Sequence, residues 1–135
     1  MGLPNYAPPE GGLFAPFWKA VGRHEIHLPR CTACGRWQWY PSWAGADCPD
    51  GELEWTPVAT TGHVVTMTRV ERAFLPKGRD DVPFVVAFVE LDGVDGVRLV
   101  ANVEDTPEAR IGGRVVADFI PHQGRTHLLF RPAAA

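Results

Sequence analysis

From Thr60 to Pro132 apolar and polar residues alternate in short runs, broken at intervals by glycine and proline. In GHVVTMTRV, Val64, Thr66, Thr68 and Val70 fall on one face of a strand, with Val65, Met67 and Arg69 on the other. PFVVAFVEL is nearly all apolar, the pattern of a central strand buried on both sides, and Pro83 stands at its start, where a missing donor does least harm. GVRLVANVE, GRVVADFIP and THLLFRP complete the set. Asp92-Gly93, Asp95-Gly96, Gly112-Gly113 and Gly124 mark the turns. The two Asp-Gly pairs lack the further oxygen ligands of a calcium loop and read as hairpin turns. Pro107 to Arg110 reads as a helical turn. Strands of this number and length predict a small closed or partly open barrel, for which the OB-fold is the natural candidate.

Upstream the pattern changes. Residues 1–12 carry Pro4, Pro8, Pro9, Gly11 and Gly12 and predict a flexible arm. Phe14, Phe17, Trp18 and Val21 recur at helical spacing and predict a helix over 13–24, with Pro16 tolerated in its first turn and Gly22 as its stop. Its apolar face has two readings: it docks on the domain's own core, or part of it serves a partner chain or an acyl ligand. EIHLPR and ELEWTPV read as strands on either side of a cysteine-bearing segment, giving a ribbon-like unit over 25–58 and a barrel over 59–132.

Composition narrows the class. Thirteen prolines and fourteen glycines in 135 residues oppose a helical bundle, and 45% hydrophobic residues allow a core. A net charge of −3 opposes general nucleic-acid binding, because phosphate contacts need a cationic groove. No apolar run approaches the ~20 residues of a membrane helix. The N-terminus lacks the basic start and apolar stretch of a signal peptide, and Tyr6 departs from a myristoylation pattern. Three cysteines are an odd number for a disulfide framework, so the expected compartment is the cytoplasm.

Cys31-Thr-Ala-Cys34-Gly35 is an intact knuckle: the x2 spacing turns both sulfurs toward one point, and Gly35 permits the tight turn. A second pair should follow, and only Cys48 does. A thioredoxin-like reading needs the pair at the start of a helix in a βαβ unit, which the pattern does not offer.

The whole segment FWKAVGRHEIHLPRCTACGRWQWYPSWAGADCPDGELEW, followed by PFVVAFVEL, the interrupted LDGVDGVRL and RIGGRVVADF, resembles the OB-fold, acyl-CoA-associated family. The Phe-Trp pair, the arginine before the first knuckle, CGRWQ and LEW together carry the resemblance, which runs from about Phe14 to Pro132. It implies N-terminal helices, a rubredoxin-like zinc ribbon and a C-terminal OB-fold. In that family the second knuckle is usually C-P-x-C. One alignment makes Cys48 its last cysteine and puts the absent ligand at Gly45; another starts the knuckle at Cys48-Pro49 and puts it at Gly51. Three states stay open: zinc on Cys31, Cys34, Cys48 and a carboxylate such as Asp47 or Asp50; zinc on three ligands and a water; or no metal, with Trp37, Trp39, Tyr40 and Trp43 packing in its place.

His24, His27, His63, His122 and His127 form no metal or nucleophile motif. His27, four residues before Cys31, is within range of the metal site but reads as a strand or surface histidine. No self-contained active site is legible. Arg69, Arg72, Lys77 and Arg79, near the long charged loop after the first barrel strand, read either as a phosphate site for coenzyme A or as solvated charge. Phe14, Phe17, Trp18, Trp39, Trp43 and Phe74 are the candidate partner-interface residues. The resemblance implies a non-catalytic subunit that joins a thiolase-fold enzyme, forms a hetero-oligomer and helps handle acyl-CoA. The partner would be a lipid-transfer-protein-type aldolase in steroid side-chain degradation, or alternatively an acyl-CoA condensation complex. A single-stranded nucleic-acid module and a stand-alone zinc enzyme with an open coordination position are the rival classes.

Overall fold

The computed structural model describes residues 11–42, 45–72, 74, 82–122 and 124–133. Among these residues a helix, α1 (Ala15–Gly22), precedes two strands, β1 (Ile26–Cys31) and β2 (Leu53–Val58). Five further strands follow: β3 (Thr61–Val70), β4 (Phe84–Leu91), β5 (Leu99–Val103), β6 (Arg114–His122) and β7 (Arg125–Pro132). β1 and β2 form an antiparallel ribbon in which Ile26 faces Val58 and Cys31 faces Leu53. The other five close into a barrel in the order β3-β4-β5-β7-β6, with a parallel β5–β7 pair. This is the expected mainly-β architecture, an N-terminal helix, a cysteine ribbon and a five-stranded OB-fold barrel.

α1 starts without a side-chain cap, with Pro16 in its first turn, where a missing N–H does no damage. It ends at Gly22, and Arg23 N–H donates back to Ala20 C=O at 2.9 Å. Phe17, Ala20 and Val21 are buried, so the helix docks on the chain's own core, touching β1 and β7. The segment from Pro107 makes a turn closed by Ala109 N–H to Thr106 C=O rather than helix.

β3 must pair with β4 on one side and β6 on the other. Gly62 makes that possible: a side-chain carbon there would collide with the Glu90 carbonyl across the ladder. A register shift between Val64 and Thr66 then bends the strand round the barrel. Inside lie Val64, Val85, Ala87, Val89, Leu91, Leu99, Val103, Val115 and Phe130.

β4 departs from the expectation of two-sided burial. Val85, Ala87, Val89 and Leu91 face the core, while Phe88 points outward and is 40% exposed. A barrel strand has only one covered face, so Phe88 on its other face is left exposed, with Phe84 and Val86 half-buried beside it.

The closing seam is held at one end by charge. Arg114 donates to both oxygens of Asp92, at 2.8 and 2.5 Å, and Thr61 Oγ1 donates to the same carboxylate at 2.6 Å. First the Arg114 hydrogen bonds and then that of Thr61 hold the Asp92 carboxyl well below the ordinary carboxylate range. A depressed folded-state pKa contributes stability above the unfolded value of about 4, lost as pH falls through the folded one. Asp92→Asn is therefore expected to lower the thermal midpoint at pH 7, and the two proteins to converge as pH is taken below about 4, read by circular-dichroism melting across pH.

Candidate metal centre and docking face

The ribbon has little core of its own, and specific contacts shape it. Arg30, just before the first knuckle, donates from Nε to Gly35 C=O at 2.8 Å and lies over the Trp37 ring at 4.8 Å. Cys31 N–H donates to Arg36 C=O and Gly35 N–H to Cys31 C=O, both at 2.9 Å, which winds the knuckle. Gly35 takes a positive φ of 74°, as this turn requires. Gln38 ties in the second loop: its N–H donates to Pro29 C=O at 2.9 Å, and Asp47 N–H donates to its Oε1 at 3.0 Å. The motif CGRWQ is thus the clamp of the ribbon.

This winding brings the thiols of Cys31, Cys34 and Cys48 within 4.8 Å of one another. Sulfurs on one tetrahedral zinc stand about 3.8 Å apart, so a small adjustment suffices to place all three on an ion. Three soft donors fit zinc, and among the described residues no carboxylate or imidazole joins them. Asp47 is exposed and is engaged through its backbone, and His27 pairs with Glu25 at 2.8 Å. The Cys34 N–H, donating to the Cys31 sulfur, lowers the Cys31 pKa. At Cys48 the Asp50 N–H acts in the same sense, but burial and the neighbouring thiols outweigh it and the net shift is upward.

The expected partner-interface residues divide. Phe17 is buried and belongs to the core. Phe14, Phe17 and Trp39 pack together, with Phe14 to Trp39 centroids at 5.5 Å and Phe17 to Trp39 at 5.4 Å. Trp18 meets Phe17 edge-on at 5.0 Å. These rings lock the helix, the ribbon and the barrel together. Between them and β5 lies a cavity of about 250 Å³, bordered by Phe14, Trp18, Trp39 and Val100. The buried Trp39 indole N–H finds no acceptor among the described residues. Phe74 stands 87% exposed, and Trp43 lies outside the described residues.

Beside that cavity a second depression of about 260 Å³ runs across β3, β4 and β5. Register places Thr66 opposite Phe88 and Phe88 opposite Val100, a largely apolar row on the outside of the barrel. Val100 is 53% exposed and borders both depressions. Sequence reading missed this row; its signal was the unbroken apolar run of β4.

The expected phosphate-binding cations are not a free cluster. Arg69 donates from Nε to both oxygens of Asp105, at 3.2 and 3.0 Å, and also pairs with Glu71. Arg72 is exposed, and Lys77 and Arg79 lie outside the described residues.

A cysteine ribbon set on an OB-fold barrel defines the class. Residues 55–119 match the family model of the ChsH2 C-terminal OB-fold domain. A chain of a solved structure described as an Ltp2-ChsH2 (DUF35) aldolase is 30% identical, with a TM-score of 0.75, covering 94% of this chain and 99% of that one. A DUF35-family protein of unknown function from Sulfolobus solfataricus shares the fold at 16% identity and a TM-score of 0.59, over 91% of this chain and 87% of its own. No curated protein matches. This chain belongs to the ChsH2-type DUF35 family of OB-fold proteins.

The donor set makes a prediction. Zinc added to the metal-stripped chain should raise its unfolding midpoint, by the equivalent of about 2.7 kcal/mol at a hundredfold excess over the dissociation constant. Cys48→Ser should abolish most of that response, which calorimetry with and without zinc measures.

Proposed function

We propose that this chain is a non-catalytic accessory subunit of a thiolase-fold, lipid-transfer-protein-type aldolase, acting on a hydroxyacyl-CoA in steroid side-chain degradation within the cytoplasm. The observation that carries this reading is the 30% identity, over nearly the full length of both chains, with a chain of an aldolase described as Ltp2-ChsH2 (DUF35). The outward apolar row of β3, β4 and β5 supports it, because it supplies a face for an enzyme to cover.

In a retro-aldol step a base takes the proton of the β-hydroxyl, the Cα–Cβ bond breaks, and the electron pair rests as a thioester enolate until it is protonated. The partner's residues perform these transfers. This chain's part is to dock through Phe88 and Val100, with Phe74 as an anchor from the loop after β3, and so to order the partner's substrate channel. Because Arg69 is committed to Asp105 and Glu71, a contact with the coenzyme A phosphates from this side falls first to Arg72.

Co-expression with a thiolase-fold enzyme from the same host, followed by assay of acyl-CoA cleavage, tests the reading. The pair should turn over while this chain alone does not. Val100→Asp should weaken the complex by about tenfold or more while leaving the chain's own melting unchanged. Turnover by the isolated chain, or a partner equally active without it, would overturn the assignment.

A further inference from the structure

Among the described residues the thiol cluster has three ligands, and the backbone identifies the residue that stands at its fourth corner. Cys48-Pro49-Asp50-Gly51 repeats the spacing of Cys31-Thr32-Ala33-Cys34, with glycine in the place of the second cysteine. Gly51 N–H donates to Cys48 C=O at 3.0 Å, closing a turn over residues 48–51. A side-chain carbon built on Gly51 would run into Cys31 Sγ and come within 3.3 Å of Ala33 Cβ, so position 51 faces the cluster directly. Gly45, the other candidate, would place its carbon with nothing within 4 Å. Cys31 Sγ lies in the space a residue-51 side chain would fill. It is the end of a side chain with one rotatable bond, held in this position by the Cys34 N–H, and a ligand on the Gly51 side has to displace it. Cys34 is exposed, so the cluster is reachable from solvent.

We propose that the ribbon holds zinc through three protein thiolates and that the fourth position, on the Gly51 side, accepts a thiolate from outside the chain. The ligand class follows from the donors: a borderline-soft ion among sulfurs favours sulfur, and glycine offers no side chain to compete. With zinc held by the three thiolates, a small thiol would give its proton to the buffer and its sulfur would take the fourth position in exchange for a water from solvent. No electron is transferred.

Cobalt(II) provides the readout, since its visible bands report coordination number and sulfur content. The full chain, stripped of metal, is loaded with cobalt in thiol-free anaerobic buffer and then titrated with 2-mercaptoethanol. The sulfur-to-cobalt band should rise saturably by roughly a third, as one bond joins three. Gly51→Cys should show the full band before any thiol is added, give no response to thiol, and bind cobalt about tenfold tighter or more. Gly45→Cys should behave as the wild type. A wild-type chain that binds no cobalt, a band indifferent to thiol, or silencing by Gly45→Cys in place of Gly51→Cys would each overturn the proposal. The wild-type titration decides the matter even if Gly51→Cys does not fold.

Discussion

Closure of the barrel rests on its first strand, β3, which carries both the β4 ladder and the seam with β6. With β4 it pairs from Gly62 to Val70, but with β6 only through Thr61, Gly62 and His63. That short seam is extended by single bonds: Ala117 N–H to Thr60 C=O at 2.7 Å, and the exchange between Val64 and the Gly112-Gly113 turn. The Asp92–Arg114–Thr61 clamp sits at the same end. Gly62 permits the close approach, and the irregularity at Val65 supplies the curvature. Since β2 ends at Val58 and β3 begins at Thr61, the ribbon hangs directly from this closing strand.

A two-stranded sheet is marginal alone in water, so the ribbon needs external support at each end. At the barrel end Ile26 and Leu28 are fully buried beneath α1 and the Phe17–Trp39 contact. At the far end the apolar cover is thinner among the described residues: Cys31 is buried, but Leu53 and Trp37 are only half-buried. The support there is Arg30 on Gly35 and Trp37, Gln38 on Pro29 and Asp47, and three converging thiols. A metal at this end would add a crosslink where apolar burial is thinner. Of the aromatics that the sequence offered as a substitute for metal, Trp39 and Tyr40 pack with Phe14, Trp37 lies against Arg30 beside the knuckle, and Trp43 lies outside the described residues.

The barrel was legible in the sequence because each of its strands is bounded by a turn signal that local chemistry requires, and because alternation survives in β3 and β6. The ribbon was legible through Cys31-x2-Cys34 and through CGRWQ, whose Arg36 and Gln38 make the bonds that wind it. The position of the missing ligand was not, since the choice between Gly45 and Gly51 depends on which glycine the fold turns toward the sulfurs. The outward face was misread for a physical reason. An unbroken apolar strand looks the same in sequence whether its second face is covered by its own chain or by another. Arg69 carried a similar ambiguity: its neighbours in sequence suggested a cationic patch, but folding brings Asp105, distant in sequence, onto its guanidinium.

The thiol cluster and the outward apolar row are separate places, and Trp39 lies between them. Cys31 lies five strand steps from Ile26, about 17 Å along β1. An ion at the thiols therefore touches nothing on the barrel directly. Between the two sits Trp39, whose neighbour Gln38 is fixed by the ribbon's own backbone bond to Pro29, and whose ring borders the cavity that Val100 shares with the outer groove. Loosening the knuckles frees the loop that carries Gln38, and with it the placement of Trp39 against Phe14 and Phe17. The route through that indole runs beside a second one, since β2 is paired along β1 and leads directly into β3.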